Sequence, residues 1–205
     1  MGQETIVHST VSPGGDYCLA TVSLESGQGS QGWCAVRRHG FRGAVITSAG
    51  LSVMSFDDAR PASCATLLAV EGEASTSFLD VTECRGWDAA RLGDTDQIWS
   101  EVPRPNRQEH AVFRARIGGQ VLDLGPGTTG SLVWCGSAAY FVRDPQTNSE
   151  PARLLRFTPD GTLAVVYESA STGNAFLSAP RCGGDTMTVT AFAQSGDEQV
   201  SAPLR

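Results

Sequence analysis

A sequence repeat made of short strand patterns recurs about every 45 residues along the chain. Each copy holds an apolar strand, a turn with Pro or Gly, a second apolar strand and a polar turn into a third. The copies read SPGGDYCLATVSLESGQGSQGWCAVRR from Ser12, ARPASCATLLAVEGEASTSFLDVTECR from Ala59 and, more weakly, PRPNRQEHAVFRARIGGQVLDL from Pro103. A period of this length, made of strands, is typical of a β-propeller or a related all-β array. Since propellers host binding and catalysis alike, the repeat constrains the fold more than the function.

The strand patterns predict an all-β fold, a small β-propeller of about five blades closed by strands from both termini. A β-sandwich with a loosely repetitive sequence is the alternative. Four segments are expected to be the inner strands of blades: 51–56, 97–102, 131–134 and 174–178. Five are expected to be second strands: 17–24, 64–70, 110–117, 138–143 and 186–193. Segments 4–9 and 197–204 have no partner in their own repeats, so we expect them to meet in one blade.

Composition supports many short strands in one domain. The 23 Gly and 10 Pro residues are spread along the sequence, so they separate strands and do not mark a linker. We therefore expect a single domain over residues 1–205. The apolar run LAVVY at 163–167 is expected to be a strand buried on both faces, as stacked blades require.

Charge and hydropathy exclude two classes of partner. A net charge of −7 argues against a nucleic-acid surface, because phosphate binding needs a basic face. No apolar run approaches the length of a membrane span, so none is expected. All 15 basic residues are Arg, a bias that fits a GC-rich bacterial genome.

The six cysteines are expected to pair as disulfides. Cys18 and Cys34 flank one turn symmetrically, and Cys64 and Cys84 flank another. Each of these pairs can therefore face across one antiparallel hairpin, within the reach of a disulfide.

A third pair is expected between Cys135 and Cys182, which precede Gly in WCG and RCGG and so suit equivalent turns of adjacent repeats. The close Cys-x-x-Cys or Cys/His spacing that zinc needs is absent, so we expect no metal and no cofactor. An even number of cysteines favours an oxidising compartment. The sequence thus predicts a secreted or extracytoplasmic protein.

Three stretches carry a resemblance to a known family. SPGGDY at Ser12, SLVWCGSAAYFVRDP from Ser131 and TPDGTLAVVYES from Thr158 resemble the repeats of TolB-like and WD40-like propellers, which place a Ser-Pro-Asp-Gly turn before a strand. The resemblance covers about three repeats, and it departs from the family at Gly15 and in blade number, since TolB-like propellers usually have six. It implies a binding or scaffolding surface without catalysis.

Polar turns and tryptophans supply the candidate binding residues. Asp94, Asp96 and Asp144 belong to turns expected on one acidic face, opposite a face richer in Arg, and such polarity steers charged partners. Asp94 and Asp96 have spacing that suits Ca²⁺, but two carboxylates are too few for a strong site. Trp99 and Trp134 are expected near the central channel, where an exposed ring can stack on a sugar. Packing between blades is the alternative for both.

Two functions follow from these features. The preferred one is a non-catalytic binding or adaptor module that recognises a protein or a glycan through its loop faces. The alternative is a small propeller hydrolase or lyase, with carboxylates and His110 or His39 converging on the channel. No Gly-x-Ser-x-Gly, His-Glu-x-x-His or phosphate-loop motif supports the alternative.

Overall fold

The computed structural model describes residues 5–79, 84–105 and 110–204. Nineteen β-strands lie in these ranges, and no α-helix does. The strands form five antiparallel sheets, numbered I to V along the chain. Sheet I contains β1 (Thr5–Val11), β2 (Tyr17–Ser23) and β3 (Gly29–Cys34). Sheet II contains β4 (His39–Thr47), β5 (Gly50–Asp57), β6 (Thr66–Glu71) and β7 (Ala74–Leu79).

The three remaining sheets follow in chain order. Sheet III contains β8 (Gly86–Arg91), β9 (Gln97–Glu101), β10 (Ala111–Ile117) and β11 (Gln120–Gly127). Sheet IV contains β12 (Val133–Cys135), β13 (Ala138–Arg143), β14 (Pro151–Phe157) and β15 (Leu163–Thr172). Sheet V contains β16 (Phe176–Leu177), β17 (Arg181–Gly183), β18 (Thr186–Ala193) and β19 (Gly196–Pro203). Both β16 and β17 pair with the same side of β18, so together they act as its first strand.

Four apolar cores lie between successive sheets. Leu19 packs with Val53 between sheets I and II, and Met54 packs with Trp99 between sheets II and III. Sheets III and IV are joined through a larger core, in which the rings of Phe113 and Phe141 stack 4.2 Å apart. Sheets IV and V share a core with Leu154, Val189 and their neighbours. Sheets stacked face to face in chain order confirm the predicted propeller architecture over the two-layer sandwich.

The predicted register holds for three sheets and is displaced in two. Segments 131–134 and 174–178 supply first strands, as expected. Segments 51–56 and 97–102 are instead the second strands of sheets II and III, and segments 64–70 and 110–117 supply the third strands. The first strands, β4 and β8, were missed because their sequences HGFRGAVIT and GWDAAR mix Gly and charge with apolar residues.

The terminal strands complete different sheets. β1 pairs with β2 from Thr5 to Val11, and β19 pairs with β18 from Gly196 to Pro203. The expectation that both termini share one blade is therefore not met, because each terminal strand has a hairpin partner inside its own sheet. No pairing joins sheet I to sheet V in the ranges that the structure describes.

The apolar run LAVVY is not buried on both faces. It opens β15, the outer strand of sheet IV, and Leu163, Val165 and Val166 are all exposed there. An outer strand has a neighbour on one side alone, so an apolar sequence does not by itself bury it.

All three predicted cysteine pairs form disulfides. Cys18 and Cys34 face each other across the β2–β3 hairpin, as expected. Cys64 precedes β6 while Cys84 precedes β8, so the second disulfide joins sheets II and III and does not cross a hairpin. The third joins β12 to β17, and so sheets IV and V. Three disulfides favour an oxidising environment.

Candidate functional site

A pocket of about 210 Å³ lies where the first strands of sheets II, III and IV approach one another. We call it the axial pocket. Its lining comprises Arg42, Gly43, Val45, Met54, Trp87, Asp88, Ala89, Gly130 and Leu132. Three successive sheets thus contribute to one concave site, which is the kind of position where ligand sites are common.

Two strand irregularities shape the axial pocket. The pairing of β4 with β5 shifts register between Arg42 and Val45. The pairing of β8 with β9 shifts between Gly86 and Ala89. Each irregularity redirects the side chains around it, so that Arg42 reaches Trp87 in sheet III and Asp88 reaches Gly130 before sheet IV.

Arg42 is held by the backbone and by an aromatic ring. Its Nη2 donates to the carbonyl oxygens of Ala62 at 3.0 Å and Trp87 at 3.1 Å. The guanidinium carbon lies 4.5 Å from the centre of the Trp87 ring, within cation–π distance. Burial lowers the pKa of Arg42 and the nearby Asp88 raises it, so the side chain stays cationic at neutral pH.

The Asp88 carboxylate connects sheet III to the turn that precedes sheet IV. Its Oδ2 accepts hydrogen bonds from Ser100 Oγ and from the backbone N–H of Gly130, both at 2.9 Å. Gly130 adopts a φ of 75°, a left-handed turn conformation that favours glycine. Burial raises the pKa of Asp88 to about 6, and the hydrogen bonds and the charge of Arg42 oppose that shift. Asp88 therefore titrates near pH 6, well above the usual range of an aspartate.

The three predicted acidic residues, Asp94, Asp96 and Asp144, lie at opposite ends of the strands. Asp94 and Asp96 belong to the β8–β9 turn, where Asp94 forms an exposed ion pair with Arg91 at 3.4 Å. Asp96 Oδ1 accepts from the backbone N–H of Gly118 at 2.9 Å, which ties this turn to the β10–β11 turn. Both aspartates are therefore at the end opposite the axial pocket.

Asp144 is at the same end as the axial pocket. It follows β13, and its Oδ2 accepts from Thr128 Oγ1 at 2.9 Å, which fixes the connection from β11 to β12. Asp144 is thus not on one face with Asp94 and Asp96, because strand direction reverses between the two turns. The three residues do not form a cluster.

The two predicted tryptophans are packed to different degrees. Trp99 is 5% exposed, between sheets II and III, and its Nε1 donates to Glu101 Oε1 at 2.8 Å. Trp134 lies on β12, an inner strand, and is partly buried against the core of sheets III and IV. Of these two tryptophans, Trp134 is the more exposed.

The histidines have no carboxylate partner in the described part of the chain. His39 Nδ1 lies 3.4 Å from the carbonyl oxygen of Arg37. His110 lines a separate pocket of about 300 Å³ beside Glu101. The Glu101 carboxylate is engaged by the Trp99 indole and by Arg85 at 3.4 Å. The described residues thus show no hydrogen-bonded His–carboxylate pair of the kind that the hydrolase alternative needs.

Asp88 was not identified as a candidate residue from the sequence. The signal for Asp88 is its place in GWDAAR, where one acid interrupts a short strand beside Trp87. A lone carboxylate in such a strand is either exposed or held by specific partners. Its partner Gly130 is 42 residues away in the sequence, so strand patterns alone do not reveal the contact.

The described ranges contain neither a cluster of metal-ligand side chains nor a membrane-spanning helix. No group of three or more His, Cys, Asp or Glu side chains there has the arrangement of a metal site. Nor does any helix in those ranges have the length and apolar character needed to span a bilayer.

No protein-family model matches the chain, and no curated protein does. Among solved structures, it is similar to an acylaminoacyl peptidase of Pyrococcus horikoshii, with a TM-score of 0.51 and 10% identity over 97% of this chain and 35% of that one. A prolyl endopeptidase gives a TM-score of 0.49 at 10% identity, over 93% of this chain and 31% of that one. TolB of Acinetobacter baumannii gives 0.39 at 10% identity, over 97% and 63%.

At this level of identity the likeness shows the fold alone. The chain spans 35% of the first of these proteins, so it corresponds to a part of the peptidase. Together with the five stacked sheets, this places the chain in the class of β-propeller domains.

Proposed function

We propose that this chain is a secreted, non-catalytic binding module that holds a partner protein at the axial pocket. The observation that carries the proposal is the convergence of Arg42, Trp87 and Asp88 with apolar walls where three sheets meet. A concave site with a few fixed polar groups is what recognition of a projecting side chain requires. The three disulfides support a location outside the reducing cytoplasm.

A protein partner suits this pocket better than a glycan does. At about 210 Å³ it is smaller than typical small-molecule sites, which begin at about 300 Å³. Its walls include Val45, Met54 and Leu132, which offer no hydrogen bonds to sugar hydroxyls. The Arg42 guanidinium covers one face of the Trp87 ring and competes with a sugar for stacking there. One partner side chain with an apolar body and a polar tip matches these features.

Site-specific photo-cross-linking tests the proposal. A photo-reactive amino acid replaces Val45 inside the axial pocket, and in a matched control it replaces Val121, which is 52% exposed on β11. The oxidised proteins are irradiated in culture medium of the native source, and cross-linked products are identified by mass spectrometry. We expect position 45, and not position 121, to capture a defined protein.

A second variant shows whether capture needs the pocket itself. Leu132→Trp narrows the axial pocket and should reduce capture at position 45 at least tenfold while the fold is retained. Equal capture from positions 45 and 121 would contradict the proposal. So would a glycan-array signal that Leu132→Trp abolishes, because that outcome assigns the pocket to a sugar.

A further inference from the structure

A second cavity lies between sheets IV and V, away from the axial pocket. This cleft has a volume of about 320 Å³. Its floor is formed by the buried side chains of Tyr140, Leu154, Met187 and Val189, and its rim by residues of β15 and β19. We call it the interblade cleft. Its size is at the lower end of the range for small-molecule sites.

The core between sheets IV and V contains fewer buried aromatic rings than the core between sheets III and IV. The core between sheets III and IV holds Phe113, Phe141 and Phe157. In the core between sheets IV and V, Tyr140 is the one aromatic residue of the buried cluster. Aromatic side chains bury large areas, so a core with fewer of them fills less of the space between its sheets.

The lining of the interblade cleft carries a single, positive charge. Arg156 is the one charged residue of its lining, and Arg156 lies directly opposite Tyr140 across the β13–β14 pair. Tyr167 adds a second phenol at the rim. Glu198 is near Tyr167, and burial together with this charge raises the Tyr167 pKa. The phenol therefore stays protonated and able to donate a hydrogen bond at neutral pH.

We propose that the interblade cleft binds a small, mostly apolar molecule that carries one carboxylate. The apolar body would lie on Leu154, Met187 and Val189, where burial of apolar surface drives binding. The carboxylate would lie against the Arg156 guanidinium, whose planar donors match a carboxylate. This site is independent of the axial pocket, since sheets IV and V form it and sheets II, III and IV form the other.

Methionine-methyl NMR can test both the binding and its location. The sequence has three methionines. Met187 lines the interblade cleft and Met54 lines the axial pocket, so their methyl signals report on the two sites separately. Naphthoate serves as the probe, and naphthamide serves as its uncharged match. We expect naphthoate to shift the Met187 signal with a Kd of about 1 mM or tighter and to leave Met54 unchanged.

Three variants separate the contributions of charge and shape. Arg156→Met should weaken naphthoate at least tenfold and bring it level with naphthamide. Ala202→Trp, on the rim, should block both probes. Arg153→Met is the matched control, because Arg153 pairs with Glu168 at 2.7 Å outside the cleft, and it should leave both affinities unchanged.

Each other outcome overturns the proposal. Absence of a Met187 shift at millimolar naphthoate would show that the cleft binds no such molecule. A shift of Met54 without Met187 would assign the probe to the axial pocket. Equal affinity for naphthoate and naphthamide in the wild-type protein would show that the cleft does not recognise the carboxylate. Thermal unfolding of every variant establishes that each one is folded.

Discussion

At the scale of single residues, Asp88 in the axial pocket has a strongly raised pKa. Its pKa of about 6 lies above the ordinary aspartate value of 3.8, because burial penalises the charged form. A group whose pKa is higher in the folded state than in the unfolded state stabilises the fold most at low pH. That contribution is complete below the unfolded pKa and is lost as pH rises through the folded pKa.

The Asp88→Asn variant should lack this pH dependence. As pH rises from about 4 to about 7, the wild type should lose up to about 3 kcal/mol of unfolding free energy relative to the variant, a difference that corresponds to the shift in pKa. Urea unfolding at several pH values measures the difference, and Asp94→Asn, at an exposed turn, is the control that should follow the wild type. Parallel curves for wild type and Asp88→Asn would show that Asp88 titrates normally.

Asp88 also shows what strand patterns leave undetermined about the site. Its position depends on a register shift in β8 and on a left-handed turn at Gly130, and neither changes the apolar pattern of the sequence. Asp94, Asp96 and Asp144 are visible from the sequence because turn residues are polar. Whether such residues converge depends on strand direction, which the displaced register concealed.

At the scale of strands, β14 and β15 offer a direct test of which apolar residues support the fold. Leu155 and Val165 are paired across these two strands, yet Leu155 is 1% exposed and Val165 is 48% exposed. We expect Leu155→Ala to cost about 2–5 kcal/mol of unfolding free energy through the cavity it leaves. Val165→Ala should cost about 0.5 kcal/mol or less. Urea unfolding measures both losses. Similar losses of unfolding free energy for the two variants would show that Val165 is buried, as the apolar run suggests.

The contrast between central and outer strands explains which strand predictions were right and which was wrong. Alternating or continuous apolar segments identified β2, β13 and β18, since central strands present side chains to the cores between sheets. The run at β15 has the same composition but lies at a sheet edge. Position within the sheet, which local sequence does not encode, decides whether an apolar strand is buried.

The disulfides connect strands over different lengths of chain. Cys18 and Cys34 are 16 residues apart within one hairpin, and Cys135 and Cys182 are 47 apart across two sheets. In the chain-entropy description, a longer closed loop restricts the unfolded state more.

Removing the two disulfides in separate double Cys→Ala variants should therefore have unequal effects. We expect a loss of about 3 kcal/mol for the Cys18–Cys34 pair and about 4 kcal/mol for the Cys135–Cys182 pair. Urea unfolding of both variants beside the oxidised wild type measures the two losses. A larger loss from the hairpin pair would show that the entropy of loop closure does not dominate here.

At the scale of the whole molecule, the sheets are stacked in chain order with a core at each successive interface. Sheets II, III and IV each share two of these cores, whereas sheets I and V share one each in the described structure. In such a stack, each sheet depends on its immediate neighbours for burial. Sheets with one partner should consequently open at lower free energy than sheets with two.

Native-state hydrogen exchange with the disulfides intact tests this gradient. We compare amides in central strands: β2 in sheet I, β10 in sheet III and β18 in sheet V. Protection in β10 should exceed protection in β2 and β18 by about tenfold or more, which corresponds to about 1.4 kcal/mol in opening free energy. Equal protection in all three strands would mean that the stack opens as one unit. Sheets I and V would then support each other through packing beyond the four cores, as closure into a ring requires.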